Sequence, residues 1–166
     1  YSDWCFDEDG NPSIEKMIEG GYFDKEHSVE LGKRATALGM SYVPSFHYSD
    51  KWMSNAKAHT PEEWLDVDYE GNYSNTDLAH MQSIVYNYVY DFMKALADEN
   101  VNVAAVKHGN EQNGGLVWPV GNGMTSVGHA KIIAASYEAA EDAMPGVSGW
   151  VHSNNGYTPS QITSFF

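Results

Sequence analysis

Helix patterns and short strand patterns alternate without exception along this chain, and no other feature constrains its fold as strongly. Val29, Leu31, Ala35 and Leu38 predict a helix over 24–38, ended by Gly39. Residues 41–46 (SYVPSF) read as a short buried strand, in which Pro44 removes one ladder donor. Leu78, Met81, Val85, Tyr88, Val89, Phe92 and Leu96 form one stripe at helical spacing and predict a helix over 76–98. Residues 101–106 (VNVAAV) are apolar and β-branched, which suits a strand buried on both faces. A helix capped by Thr125 or Ser126 and running to Met144 follows, then a third strand over 147–151. Thr158 and Pro159 open one more helix pattern.

Strict alternation with buried strands implies an α/β fold, a parallel sheet joined by crossover helices. The long connections, 48–72 and 109–123, are those that follow strands. In a β/α barrel such loops build the catalytic face. A whole barrel needs about 250 residues, so 166 residues supply three or four β/α units of a partial (β/α)8 TIM barrel. The chain opens at Tyr1 without an initiator Met and closes at Phe166 within a helix pattern, so a fragment of one domain is expected.

Composition narrows the chemistry. Nine Lys and Arg against 23 Asp and Glu give a net charge of −14, which argues against nucleic acid, since phosphate binding needs clustered cations. No stretch approaches the roughly 20 apolar residues of a membrane helix. Cys5 stands alone, so neither an internal disulfide nor a Cys-based zinc site is possible. Asp7, Asp9 and Gly10 faintly echo a calcium loop, but Cys5 and Lys16 occupy its first and last ligand positions. Neither a metal nor any other cofactor is expected.

Polar residues gather where each strand pattern stops: His47-Tyr48-Ser49-Asp50 after the first, His108-Gly109-Asn110-Glu111 after the second, His152-Ser153-Asn154 after the third. Strand ends border water and are often polar for that reason alone. Glu111, just past a buried strand, is nevertheless placed for general acid chemistry, because partial desolvation favours the protonated carboxyl. Asn110 beside it can hold a sugar hydroxyl near the reacting carbon. His47, His108 and His152 could form a metal triad, yet lack the paired helical spacing of zinc sites. His27, His59, His80 and His129 are expected to be solvated. Trp52, Trp64 and Trp118 lie in loops, where an indole either stacks on a sugar ring or anchors its loop. Stacking is favoured for Trp118, anchoring for Trp64, and Trp52 suits both.

Two runs carry a resemblance. Residues 30–40 (ELGKRATALGM) with 45–52 (SFHYSDKW), and 106–116 (VKHGNEQNGGL), resemble the third and fourth β/α regions of glycoside hydrolase family 53. These are endo-β-1,4-galactanases acting on arabinogalactan type I. The resemblance implies a (β/α)8 barrel of a retaining-glycosidase clan, with residues 1–166 as one fragment of its catalytic domain. It implies Glu111 as acid/base, Asn110 holding the sugar, and His47 and His152 at the ends of their strands; on the residues alone, Asp50 is expected as a substrate or histidine partner, with Trp52 and Trp118 as candidate stacking faces toward the substrate. The nucleophile would be a Glu of strand seven, outside this chain. A galactan substrate, a secreted or extracytoplasmic location and a monomer at full length are likewise implied. Two other readings stay open: a catalytically silent carbohydrate-binding barrel, and another retaining barrel glycosidase of mannanase or cellulase type.

Overall fold

Each helix starts at a side chain that accepts the otherwise unpaired N–H groups of its first turn. A computed structural model describes residues 24–49, 58–67, 73–74 and 77–153. Asp24 caps α1 (Lys25–Ala37), its carboxylate accepting from the His27 N–H at 2.9 Å. Asp77 caps α2 (Leu78–Asp98) through Ala79 and His80. Of the two candidates before α3 (Val127–Ala143), Ser126 is the cap, accepting from the His129 N–H.

The strands are short. In chain order they are β1 (Ser45–Phe46), β2 (Asp66–Val67), β3 (Tyr73–Ser74), β4 (Ala105–His108), β5 (Gly115–Leu116), β6 (Gly121–Asn122) and β7 (Ser148–Trp150). β1, β4 and β7 form one parallel sheet with β4 in the middle. The other four make two antiparallel pairs within the loops, β2 with β3 and β5 with β6. The parallel order of β1, β4 and β7, with α2 and α3 as the crossovers, is what the alternation predicts.

All three parallel strands differ in their bounds from the sequence reading, and the first is only Ser45–Phe46 of the expected 41–46. The central strand begins later than 101 and extends through Lys107 and His108. Ahead of it only Val103 pairs, with Tyr42. Between that pair and the Ser45–Lys107 pair, two residues of the first strand face three of the second. Pro44 sits at this bulge: it has no N–H to give, while its carbonyl accepts from the Lys107 N–H at 2.9 Å. The third strand is also narrower, and Trp150 is 54% exposed at the edge of the described sheet.

The core lies between the sheet and the helices. Met81, Val85, Val89, Met93 and Leu96 of α2 meet Ile132, Ala139 and Ala140 of α3 and Val106 of β4. Tyr88, although on the predicted apolar stripe, is 45% exposed. Its ring meets Phe46 and Trp64 edge-on at the flank of the core.

Candidate active site

The turn after β4 is built so that its backbone reverses at once. Gly109 has φ +85°, and a Cβ there would stand 2.9 Å from the Gln112 amide, so only glycine fits. Glu111 follows in the left-handed region at φ 40°, ψ 54°. A non-glycine residue pays strain to stay there, and such residues concentrate at functional sites. Gln112 holds the turn from three directions. Its side-chain N–H donates to the His108 carbonyl, its Oε1 lies 2.9 Å from His129 Nε2, and its backbone N–H donates to the His152 carbonyl at 2.8 Å. Gln112 is 1% exposed, so water does not reach its side chain. Gln112→Leu is expected to lower stability by about 1–3 kcal/mol, the cost of leaving buried polar groups unsatisfied. A melting temperature equal to wild type would contradict that bracing role.

The face of the sheet turned away from the helices carries the charges. Successive strand residues face opposite ways. His108 points to the helices, so Lys107 points to the other face. Lys107 Nζ donates to Asn110 Oδ1 at 2.9 Å, and His152 Nδ1 lies 2.9 Å from the same oxygen. The Glu111 backbone N–H points at His152 Nδ1 from 3.2 Å. β4 and β7 thus bring Asn110, Glu111 and His152 together. His47 comes from the end of β1 and shares their field: burial and the Lys107 charge lower its pKa, while Glu111 opposes. His152 is lowered by the same causes in the same order. Burial lowers Lys107 as well, with Glu111 again opposing.

On the helix side of the sheet lies a buried polar chain that sequence reading missed. The Tyr48 hydroxyl meets Ser136 Oγ, which lies 2.5 Å from His108 Nδ1. All three residues are buried. Burial lowers His108 to about 4 and raises Tyr48. His108 therefore belongs to the core, not to a metal triad with His47 and His152. His129 is a correction too: it is 2% exposed, not solvated. Its Nδ1 donates to the Met124 carbonyl at 2.8 Å. His27, His59 and His80 are exposed. The advance signal for these buried groups was slight: His108 stood at a strand end, and Ser136 and His129 were polar residues within a helix pattern.

The loop tryptophans divide. Trp64 joins an aromatic cluster with Tyr48 and Tyr88. Trp118 is half-buried, its indole N–H donating to the Gly114 carbonyl at 2.8 Å. Its backbone is tied to the 58–60 segment, with the N–H on the Ala58 carbonyl and the carbonyl on the Thr60 hydroxyl. The His59 ring stands edge-on to the indole. Asp50 and Trp52 lie outside the described residues, as do the 1–23 segment and the pattern at 158–166. Among the described residues no three His, Cys, Asp or Glu side chains come together as metal ligands. No helix among them is long and apolar enough to cross a membrane.

A family model described as "Glycosyl hydrolase family 53" matches residues 6–166. An "Arabinogalactan endo-beta-1,4-galactanase" of Humicola insolens is 30% identical over 139 residues, which cover 82% of this chain and 39% of the relative. "Arabinogalactan endo-beta-1,4-galactanase A" of Aspergillus niger is 28% identical over 148 residues, 88% of this chain and 40% of the relative. The chain thus spans about two fifths of the length of the curated relatives it matches. Among solved structures, the Ignisphaera aggregans GH53 catalytic domain superposes with a TM-score of 0.70 at 28% identity, covering 90% of this chain and 38% of that one. A structure of fungal beta-1,4-galactanases, at 23% identity, matches in fold with a TM-score of 0.69, over 98% of this chain and 43% of that one. The parallel sheet and its helices are accordingly part of an α/β barrel.

Proposed function

This chain belongs to glycosyl hydrolase family 53, and from that premise we propose that it is one segment of the catalytic domain of an endo-β-1,4-galactanase. The observation that carries the reading is Glu111. It stands in strained left-handed backbone just after the central parallel strand, with Asn110 before it and His152 Nδ1, just past the end of β7, 3.2 Å from its backbone nitrogen. That is the position where a barrel presents its chemistry.

The proposed reaction is a double displacement. Glu111, protonated, gives its proton to the leaving sugar oxygen as the glycosidic bond breaks. A second carboxylate about 5–5.5 Å away, a Glu of barrel strand seven beyond this chain, forms the bond to the anomeric carbon. Glu111 then takes a proton from the incoming water as the water oxygen bonds to the anomeric carbon, which breaks the bond to the strand-seven carboxylate and releases the sugar with its configuration retained. Asn110 would hold a hydroxyl of the sugar beside the reacting carbon, through a hydrogen bond that tightens as positive charge develops on the ring. His47 and His152, with Asp50, Trp52 and Trp118, would line the substrate path. Secretion and a monomeric full-length enzyme complete the proposal.

A complete domain carrying this segment should release reducing ends from β-1,4-galactan and leave β-mannan and cellulose intact. Preferential cleavage of mannan or cellulose would move the assignment to another barrel glycosidase. Binding of galactan without cleavage would favour a silent carbohydrate-binding barrel.

A further inference from the structure

Lys107 occupies the face of β4 turned away from the helices, one residue from His108 on the core face. An ammonium has donors only, whereas a carboxamide presents oxygen at one end and two donors at the other. Lys107 Nζ at 2.9 Å therefore holds the Asn110 amide with Oδ1 toward itself. The same oxygen lies 2.9 Å from His152 Nδ1, so that nitrogen can approach it only as N–H. The Glu111 backbone N–H also points at His152 Nδ1, from 3.2 Å, and it needs a lone pair there. One ring nitrogen cannot meet both demands. The orientation of the Asn110 amide decides which is met.

We propose that Lys107 is a positioning residue: by fixing Asn110 Oδ1 toward itself and His152, it sets the Nδ1–H tautomer of His152 and turns Asn110 Nδ2 away from both. On the reading of this site as a galactanase centre, on which this role in catalysis rests, the Asn110 amide is thereby held in one orientation beside Glu111. Burial and the Lys107 charge both lower the His152 pKa, against the opposing Glu111 charge. Its ring is then neutral at pH 7 and its tautomer well defined. Without the ammonium, the amide can turn over so that Nδ2 donates to His152 Nδ1. That nitrogen would then also accept from the Glu111 N–H, and the ring proton would sit on Nε2.

The experiment is ¹⁵N spectroscopy of the histidines in the complete domain, beside steady-state kinetics on galactan. Wild type should show His152 protonated at Nδ1, and Lys107→Met should move the proton to Nε2. Misplacing a positioned group by about 1 Å can cost 10²-fold, so kcat in Lys107→Met should fall by up to about that factor, with a smaller change in KM. Lys107→Arg keeps a cationic donor and should restore both the tautomer and most of the rate. A wild-type His152 protonated at Nε2, or a tautomer unmoved by Lys107→Met, overturns the proposal. If Lys107→Met does not fold, the wild-type spectrum decides alone. A domain that shows the tautomer switch yet never cleaves galactan refutes the galactanase reading and leaves the orienting role intact.

Discussion

Glu111→Gln in the complete domain should lower turnover of galactan by about 10²–10⁴-fold, the usual contribution of a positioned general acid. Gln has nearly the same size and shape, so the left-handed turn at φ 40° and its braces can persist. What it lacks is a proton to give. Galactan affinity should therefore stay close to wild type while kcat falls. An aryl galactoside with a good leaving group needs little protonation, so its glycosylation step should lose much less. A burst measurement on both substrates separates the cases. Equal losses in that step would remove Glu111 from the acid role and leave it a binding residue.

Acid should destabilise the folded domain through His108, by about 3 kcal/mol between pH 7 and pH 4. His108 is 1% exposed, with Nδ1 on Ser136 and Nε2 buried with no hydrogen-bond partner among the described residues. Burial lowers it from its ordinary 6.5 to about 4. Between those two values the unfolded chain takes up a proton that the folded one refuses. The contribution is complete above pH 6.5 and is lost as pH falls toward 4. His47, His129 and His152 are lowered as well and act in the same direction. A difference measurement is therefore needed. His108→Leu removes one titrating group, so its stability should fall less steeply than wild type over this range. Denaturant midpoints at a series of pH values report the two slopes. Parallel curves would mean that His108 is protonated at no cost in the folded state.

Much of the architecture could be read before any coordinates. The stripe from Leu78 to Leu96 could bury itself only as a helix, and Asp24, Asp77 and Ser126 announce helix starts by a local hydrogen bond. Asn110 and Glu111 were legible as a pair because they immediately follow an apolar strand pattern. These signals are local: each depends on a few consecutive residues and on the period of one element.

The remainder depended on contacts between distant parts of the chain. VNVAAV was apolar enough to look like the whole central strand, but the bulge at Pro44 starts regular pairing at Ser45 and Lys107. His129 and His108 looked like surface or strand-end residues. Each is buried because a partner arrives from elsewhere, Gln112 for His129 and Ser136 of α3 for His108. Trp118 is tied down by residues 58–60, far away in sequence.

From the sequence alone came the alternation of the three long helices with the parallel strands, the start of α3 and the turn that carries Asn110 and Glu111, because backbone preference and hydrophobic period act within one element. Only the tertiary structure decided which polar side chains enter the core and which take the opposite face of the sheet. That choice belongs to the strand register, where a single bulge changes which residues meet, and to partners up to 88 positions apart, as in Tyr48 and Ser136. A buried polar group is tolerated only where such a partner is present.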